Sequence, residues 1–143
     1  MTYDIIAIGD TVTDAFIRLK EAEVHCDEQG EHCMLSMRFG DKIPFEFAEV
    51  VPGVGNSANA AVACARLGLS TALRSYVGAD RNGAECLEEF KKNNVSTEFV
   101  VSEEGKTTNY HYVLWYESER TILIKHEVFT YSLPNPFPAP KWI

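Results

Sequence analysis

Gly53, Gly55, Asn56, Ser57 and Asn59 stand directly ahead of an alanine-rich run in PGVGNSANAAVACARLGLSTALRSYVG, which spans residues 52–78. A glycine turn that opens a helix presents unpaired backbone N–H groups and the positive end of a helix dipole. Phosphates, dinucleotides and sugars can all use such a turn. Gly53, Gly55 and Ala58 fit the spacing of a dinucleotide fingerprint. That mechanism needs the glycines to follow the first strand directly and an acidic residue to end the second strand. Here Pro52 interrupts the approach, and the next strand ends SYVG without an acid. A Walker-type loop also fails, because no Gly-Lys-Ser/Thr comes after it.

A plain helix start with Asn56 or Ser57 as N-cap accounts for the small residues. It leaves Asn59 unexplained, a polar residue in the first turn beside alanines. An amide there both donates and accepts hydrogen bonds, which suits a polyhydroxyl ligand.

A second cluster, HCDEQGEHC, carries His25, Cys26, His32 and Cys33. Four such side chains could in principle hold zinc. Structural sites usually pair cysteines two to four residues apart, however, and adjacent residues of a strand point to opposite faces. The reading is therefore two facing thiols across a hairpin, with zinc or a redox pair as the alternatives. Without a basic segment, apolar core and cleavage site at the N-terminus, a reducing cytoplasm with free thiols is expected.

The elements that position these residues follow from periodicity. YDIIAIG reads as a buried strand. Between 16 and 51 apolar and polar residues alternate in short pieces broken at Gly30 and Gly40, as in antiparallel strands with one solvated face. A helix is expected over about 57–67, stopped by Gly68, then a strand at STALRSYVG and an amphipathic helix at NGAECLEEFKKNN. TEFVV is a short strand, and TNYHYVLWY with RTILIKH forms a hairpin around Glu117-Ser118-Glu119. Trp142-Ile143 looks like the start of a further strand. This order predicts an α/β sheet with parallel strands and a smaller sheet standing apart.

With 143 residues, 45% hydrophobic and 24% charged, the chain has the composition of a soluble globular protein. A net charge of -8 argues against nucleic-acid or anionic-membrane partners, and Lys91-Lys92 reads as a solvated helix face. No apolar run approaches the roughly 20 residues of a membrane span.

The glycine turn, the asparagine after it, the helix ending in ARLG and the strand ending in Val-Gly resemble the first signature of the ribokinase-like (PfkB) carbohydrate kinases. Gly55, Asn59, Ala61, Gly68 and Gly78 fall in register. In IGDTVTDAF, Asp14 occupies the place of a sugar-binding aspartate, and GKTTNYHYVL with ERTILI resembles the family's second lid segment. Two positions depart from the pattern: Val54 replaces a glycine, and Ala79 an aspartate, with Asp80 still present.

The resemblance implies a Rossmann-like three-layer α/β/α sheet, incomplete over 1–143, with a β-sheet lid at about 16–51 and 108–126. It implies transfer of the ATP γ-phosphate to a hydroxyl of a small sugar or nucleoside, with Mg2+. Asp14, Gly55, Asn56, Asn59 and Asn109 would contact the substrate, and a lid-mediated homodimer is implied too; the aromatic run of Tyr110, Tyr112, Trp115 and Tyr116 reads first as half-buried sheet packing and would also fit an interface or a sugar contact. The family's second signature resembles Asp-Thr-x-Gly-Ala-Gly-Asp and supplies the general base. No such run occurs in these residues. The expectation is thus the N-terminal, substrate-binding half of a kinase, inactive alone. The alternative is a non-catalytic chain that binds carbohydrate or dimerises through its lid.

Overall fold

The computed structural model describes residues 2–143 and contains two separate β-sheets and a small hairpin. In chain order the elements are β1 (Ile5–Ile8), β2 (Val12–Leu19), β3 (Glu23–His25), β4 (Met34–Ser36), β5 (Phe45–Val54), α1 (Asn56–Arg66), β6 (Thr71–Gly78), α2 (Arg81–Lys92), β7 (Val95–Ser96), β8 (Val100–Glu103), β9 (Asn109–Tyr116) and β10 (Glu119–Lys125).

The first sheet is parallel. β6 lies at its centre, buried along its whole length, between β1 on one side and β7 with β8. A strand buried on both faces needs a continuous apolar run, which TALRSYVG nearly supplies. Alternation sends Leu73 and Val77 to one face, where they meet Ala58 and Ala61 of α1 and Cys86 and Phe90 of α2. Alanines at that contact let α1 approach closely. On the opposite face Tyr3, Ile6 and Ala72 pack against Phe99 and Phe137. Trp142 pairs with Ile5 as a single parallel bridge, the place of the further strand expected there.

The second sheet, in the order β10-β9-β2-β5, is built from the segments expected to form a lid. Two features differ from the sequence reading. The sheet begins at Val12 rather than 16, because β2 follows β1 with no helix between them. It is also not wholly antiparallel: β2 runs parallel to β9, with Val12 opposite Asn109 and Asp14 opposite His111. Period-two patterning says which face a residue takes, not which strand lies beside it or in which direction.

The β3–β4 hairpin pairs His25 with Met34, and Cys26 and Cys33 form a disulfide across its loop. This corrects the expectation of free thiols for that pair. The hairpin brings both cysteines to the same end of the ladder, so the loop between them closes. Cys64 and Cys86 are free.

Among the described residues, no helix is long and apolar enough to cross a membrane.

Candidate functional site at the junction of the two sheets

The site is organised around the first residues of β2. Val12 is flanked by Val54 of β5 on one side and Asn109 of β9 on the other. Between Val12 and Asp14 the pairing with β5 jumps from Val54 to Val51, so β5 carries an extra residue at Pro52-Gly53. Such a bulge bends a strand and re-aims the residues beyond it. Here it turns the chain into α1. Cys86 and Phe90 of α2 support it from below: the Gly53 amide donates to Cys86 Sγ at 3.2 Å, and Phe90 packs beneath Gly53.

Gly55, not Asn56 or Ser57, is the N-cap of α1, and no side chain caps the helix. The first-turn N–H groups therefore stay without a side-chain partner, as a ligand-binding helix start requires. Gly55 has φ 124°, and a Cβ on it would stand 2.7 Å from the Asp10 carbonyl oxygen. The close approach at this glycine is thus to the β1–β2 junction. Ser57 reaches the same carbonyl, donating from its hydroxyl at 3.3 Å. Asn56 and Asn59 are both exposed on the first turn, three residues apart and so on one helix face.

Asp14 sits one pleat repeat beyond Val12. Its side chain keeps 21% exposure, but Oδ1 is sealed from solvent and has no well-directed hydrogen bond. Its nearest polar neighbour is His111 Nδ1 at 3.2 Å. Burial pushes the Asp14 carboxyl above its ordinary value, and His111 offsets this only in part.

Asn109 is buried, and both ends of its amide are bound to backbone. Nδ2 donates to the Thr11 carbonyl at 3.3 Å, and Oδ1 accepts from the Glu127 amide at 2.7 Å. It ties β9 to the start of β2 and to the chain after β10. Of the aromatic run, Trp115 shares the Asp14 face at its far end, with the Arg18 guanidinium 4.5 Å above its ring. Tyr110, Tyr112 and Tyr116 take the other face.

The structure therefore gathers Asp14, Gly55 and Asn109 around the start of β2, with Asn56 and Asn59 on the adjoining helix turn. Sequence reasoning missed His111. Its only signal is its alternation with Asn109 and Val113, and nothing local pairs it with Asp14, 97 positions away. Also missed is a cleft of about 290 Å³ at the end of β1, lined by Gly9, Asp10, Arg74, Tyr76 and Tyr131 among others. Arg74 is buried there and donates to the Phe99 and Ser132 carbonyls. Among the described residues, no three histidine, cysteine or acidic side chains gather as a metal site.

The model of the pfkB family carbohydrate kinases matches residues 46–135. A protein of Pyrococcus horikoshii described as a sugar kinase is 33% identical over 100 residues, which is 70% of this chain and 32% of that protein. Its crystal structure superimposes with a TM-score of 0.59 at 28% identity, covering 87% of this chain and 36% of that one. The ribokinase of Arabidopsis thaliana, solved with ribose and ATP, gives a TM-score of 0.69 at 18% identity, with 87% and 36% covered, a likeness of fold. The chain spans about a third of the length of these relatives. Through the matched signature and the shared fold, the chain belongs to the pfkB family of carbohydrate kinases.

Proposed function

We propose that the chain forms the sugar-binding portion of an ATP-dependent kinase that phosphorylates a hydroxyl of a small sugar or nucleoside. The observation that carries this reading is the convergence on β2: a partly buried carboxylate with one sealed oxygen, beside a helix start that no side chain caps. Asp14 would accept substrate hydroxyls, and a carboxylate is the stronger acceptor for that role. Asn59 and Asn56 would bind further hydroxyls from the first turn of α1. Gly55 would keep the junction close enough for both sets to reach one ligand. Asn109 would hold β9 in place rather than lend its amide, which the backbone already occupies.

ATP and Mg2+ would supply the phosphoryl group and its charge neutralisation. The signature that would supply the general base does not occur in these residues, and the groups that carry out the transfer are proposed to lie outside them. On this reading the chain alone is inactive. The lid would exclude water over the bound sugar. Val50, Tyr112 and Leu123, exposed apolar residues on its face away from Asp14, favour a homodimer through the lid.

The test is ATP-dependent phosphorylation of a sugar and nucleoside panel by the protein from its native source. Asp14→Ala and Asn59→Ala are expected to abolish turnover while thermal unfolding stays cooperative. Normal turnover in either variant would refute the assignment of that residue.

A further inference from the structure

Asp14, His111 and His126 form a side-by-side row on one face of the lid. Asp14 and His111 are direct partners in the parallel register of β2 and β9. Ile124 is the partner of His111 in the β9–β10 ladder, and His126 comes two residues later on the same face. The rings of His111 and His126 stack with centroids 5.1 Å apart, and their Nε2 atoms are 3.2 Å apart. His111 Nδ1 faces Asp14 Oδ1 at 3.2 Å, and the His111 side chain is only 14% exposed.

The distances fit an arrangement with both rings neutral in which His111 carries its proton on Nδ1, toward a carboxylate that only accepts. His111 Nε2 is then an acceptor, and His126 supplies the hydrogen through its own Nε2–H. The second imidazole fixes the tautomer of the first, as an outer partner commonly does.

We propose that His111 is a positioning residue for the sugar-binding carboxylate, resting on the reading of Asp14 given above. Its Nδ1–H holds Oδ1 inward, so that Oδ2 is the oxygen offered to a substrate hydroxyl, and His126 keeps the proton on the correct nitrogen. The contact is close but not well directed in the free chain. Polar contacts at such sites commonly tighten only with ligand bound. Asp14 thereby presents one oxygen in a fixed direction rather than a freely turning carboxylate, which selects for the orientation of the hydroxyl it meets.

The test uses D-ribose, D-fructose and adenosine as probes, with calorimetric affinity, thermal unfolding and the imidazole nitrogen shifts of the chain. His111→Ala is expected to weaken the probe that binds by about tenfold or more, the range for a hydrogen bond to a charged group. His111→Asn, which places an amide N–H where Nδ1 was, is expected to recover most of that loss. The nitrogen shifts are expected to show His111 protonated at Nδ1. Unchanged affinity in His111→Ala, equal losses in both variants, or a proton on Nε2 would each overturn the proposal. If Asp14→Asn is the only change that matters, the sugar site stands and the positioning role falls. If no probe binds, or Asp14→Asn binds like the parent, the sugar-site reading itself fails and takes the proposal with it.

Discussion

The carboxylate of Asp80 accepts both the amide and the hydroxyl of Thr108, at 2.9 and 2.6 Å, while also capping α2 through the Gly83 amide at 2.8 Å. One side chain thus fixes the start of a core helix and the start of β9, the strand that carries Asn109 and His111. The departure at Ala79 leaves this link intact.

Asp80→Ala is expected to cost about 1–3 kcal/mol of stability, from the lost cap and the orphaned Thr108 groups. Denaturant unfolding measures it. Burial pushes the Asp80 carboxyl up, but the Thr108 and Gly83 hydrogen bonds outweigh it and hold it below its ordinary value. Its contribution is therefore complete above the unfolded carboxylate pKa and disappears as pH falls through the lower, folded one. The variant should consequently lose its deficit relative to the parent in strong acid.

Asp14 has the opposite sign. Its carboxyl titrates higher folded than unfolded, so ionising it opposes folding as pH rises through its folded pKa. Asp14→Asn is expected to be at least as stable as the parent at pH 7 while losing sugar affinity. A functional group maintained at a cost in stability gives this pattern. A clear fall in melting temperature would show that Asp14 is structural.

Gly78 and Gly55 test the two close approaches. A Cβ on Gly78 would lie 2.4 Å from the Lys106 carbonyl oxygen, and one on Gly55 2.7 Å from that of Asp10. Both contacts are to backbone and cannot be relieved by turning a side chain. Gly78→Ala and Gly55→Ala are each expected to cost more than about 1 kcal/mol in thermal or chemical unfolding. Wild-type stability in either would contradict the packing described.

The Cys26–Cys33 disulfide predicts a thiol count. Protein unfolded without reductant should alkylate at two cysteines, Cys64 and Cys86, and at four after reduction. Intact mass reads the difference directly. Four modified cysteines without reductant would leave the hairpin open.

Much of the core was legible because its signals are local. Ala58, Ala61 and Gly68 mark α1 and its end by spacing alone, and β6 announces itself by an apolar run. Asp14 and Asn59 enter as candidates through the register of a signature. The features that escaped depend on contacts far apart in the chain. The parallel pairing of β2 with β9 joins Asp14 to His111, and neither strand's pattern encodes its partner's direction. The N-cap was misassigned for a related reason. Asn56 and Ser57 are good caps by type, but the bulge at Pro52-Gly53 gives Gly55 the boundary. Cys26 and Cys33 were legible as facing thiols across a hairpin, but not the bond between them, because a reducing compartment was expected.

Sugar binding at the junction of lid and core is the claim on which the proposed function rests. The most direct measurement is a backbone and side-chain amide NMR map of the chain titrated with D-ribose, D-fructose and adenosine. Saturable shifts are predicted for one probe, concentrated at Asp14 and at residues 55–59, with their loss in Asn59→Ala. Saturable shifts confined to the Arg74 cleft, or no saturable shift with any probe, would contradict the claim.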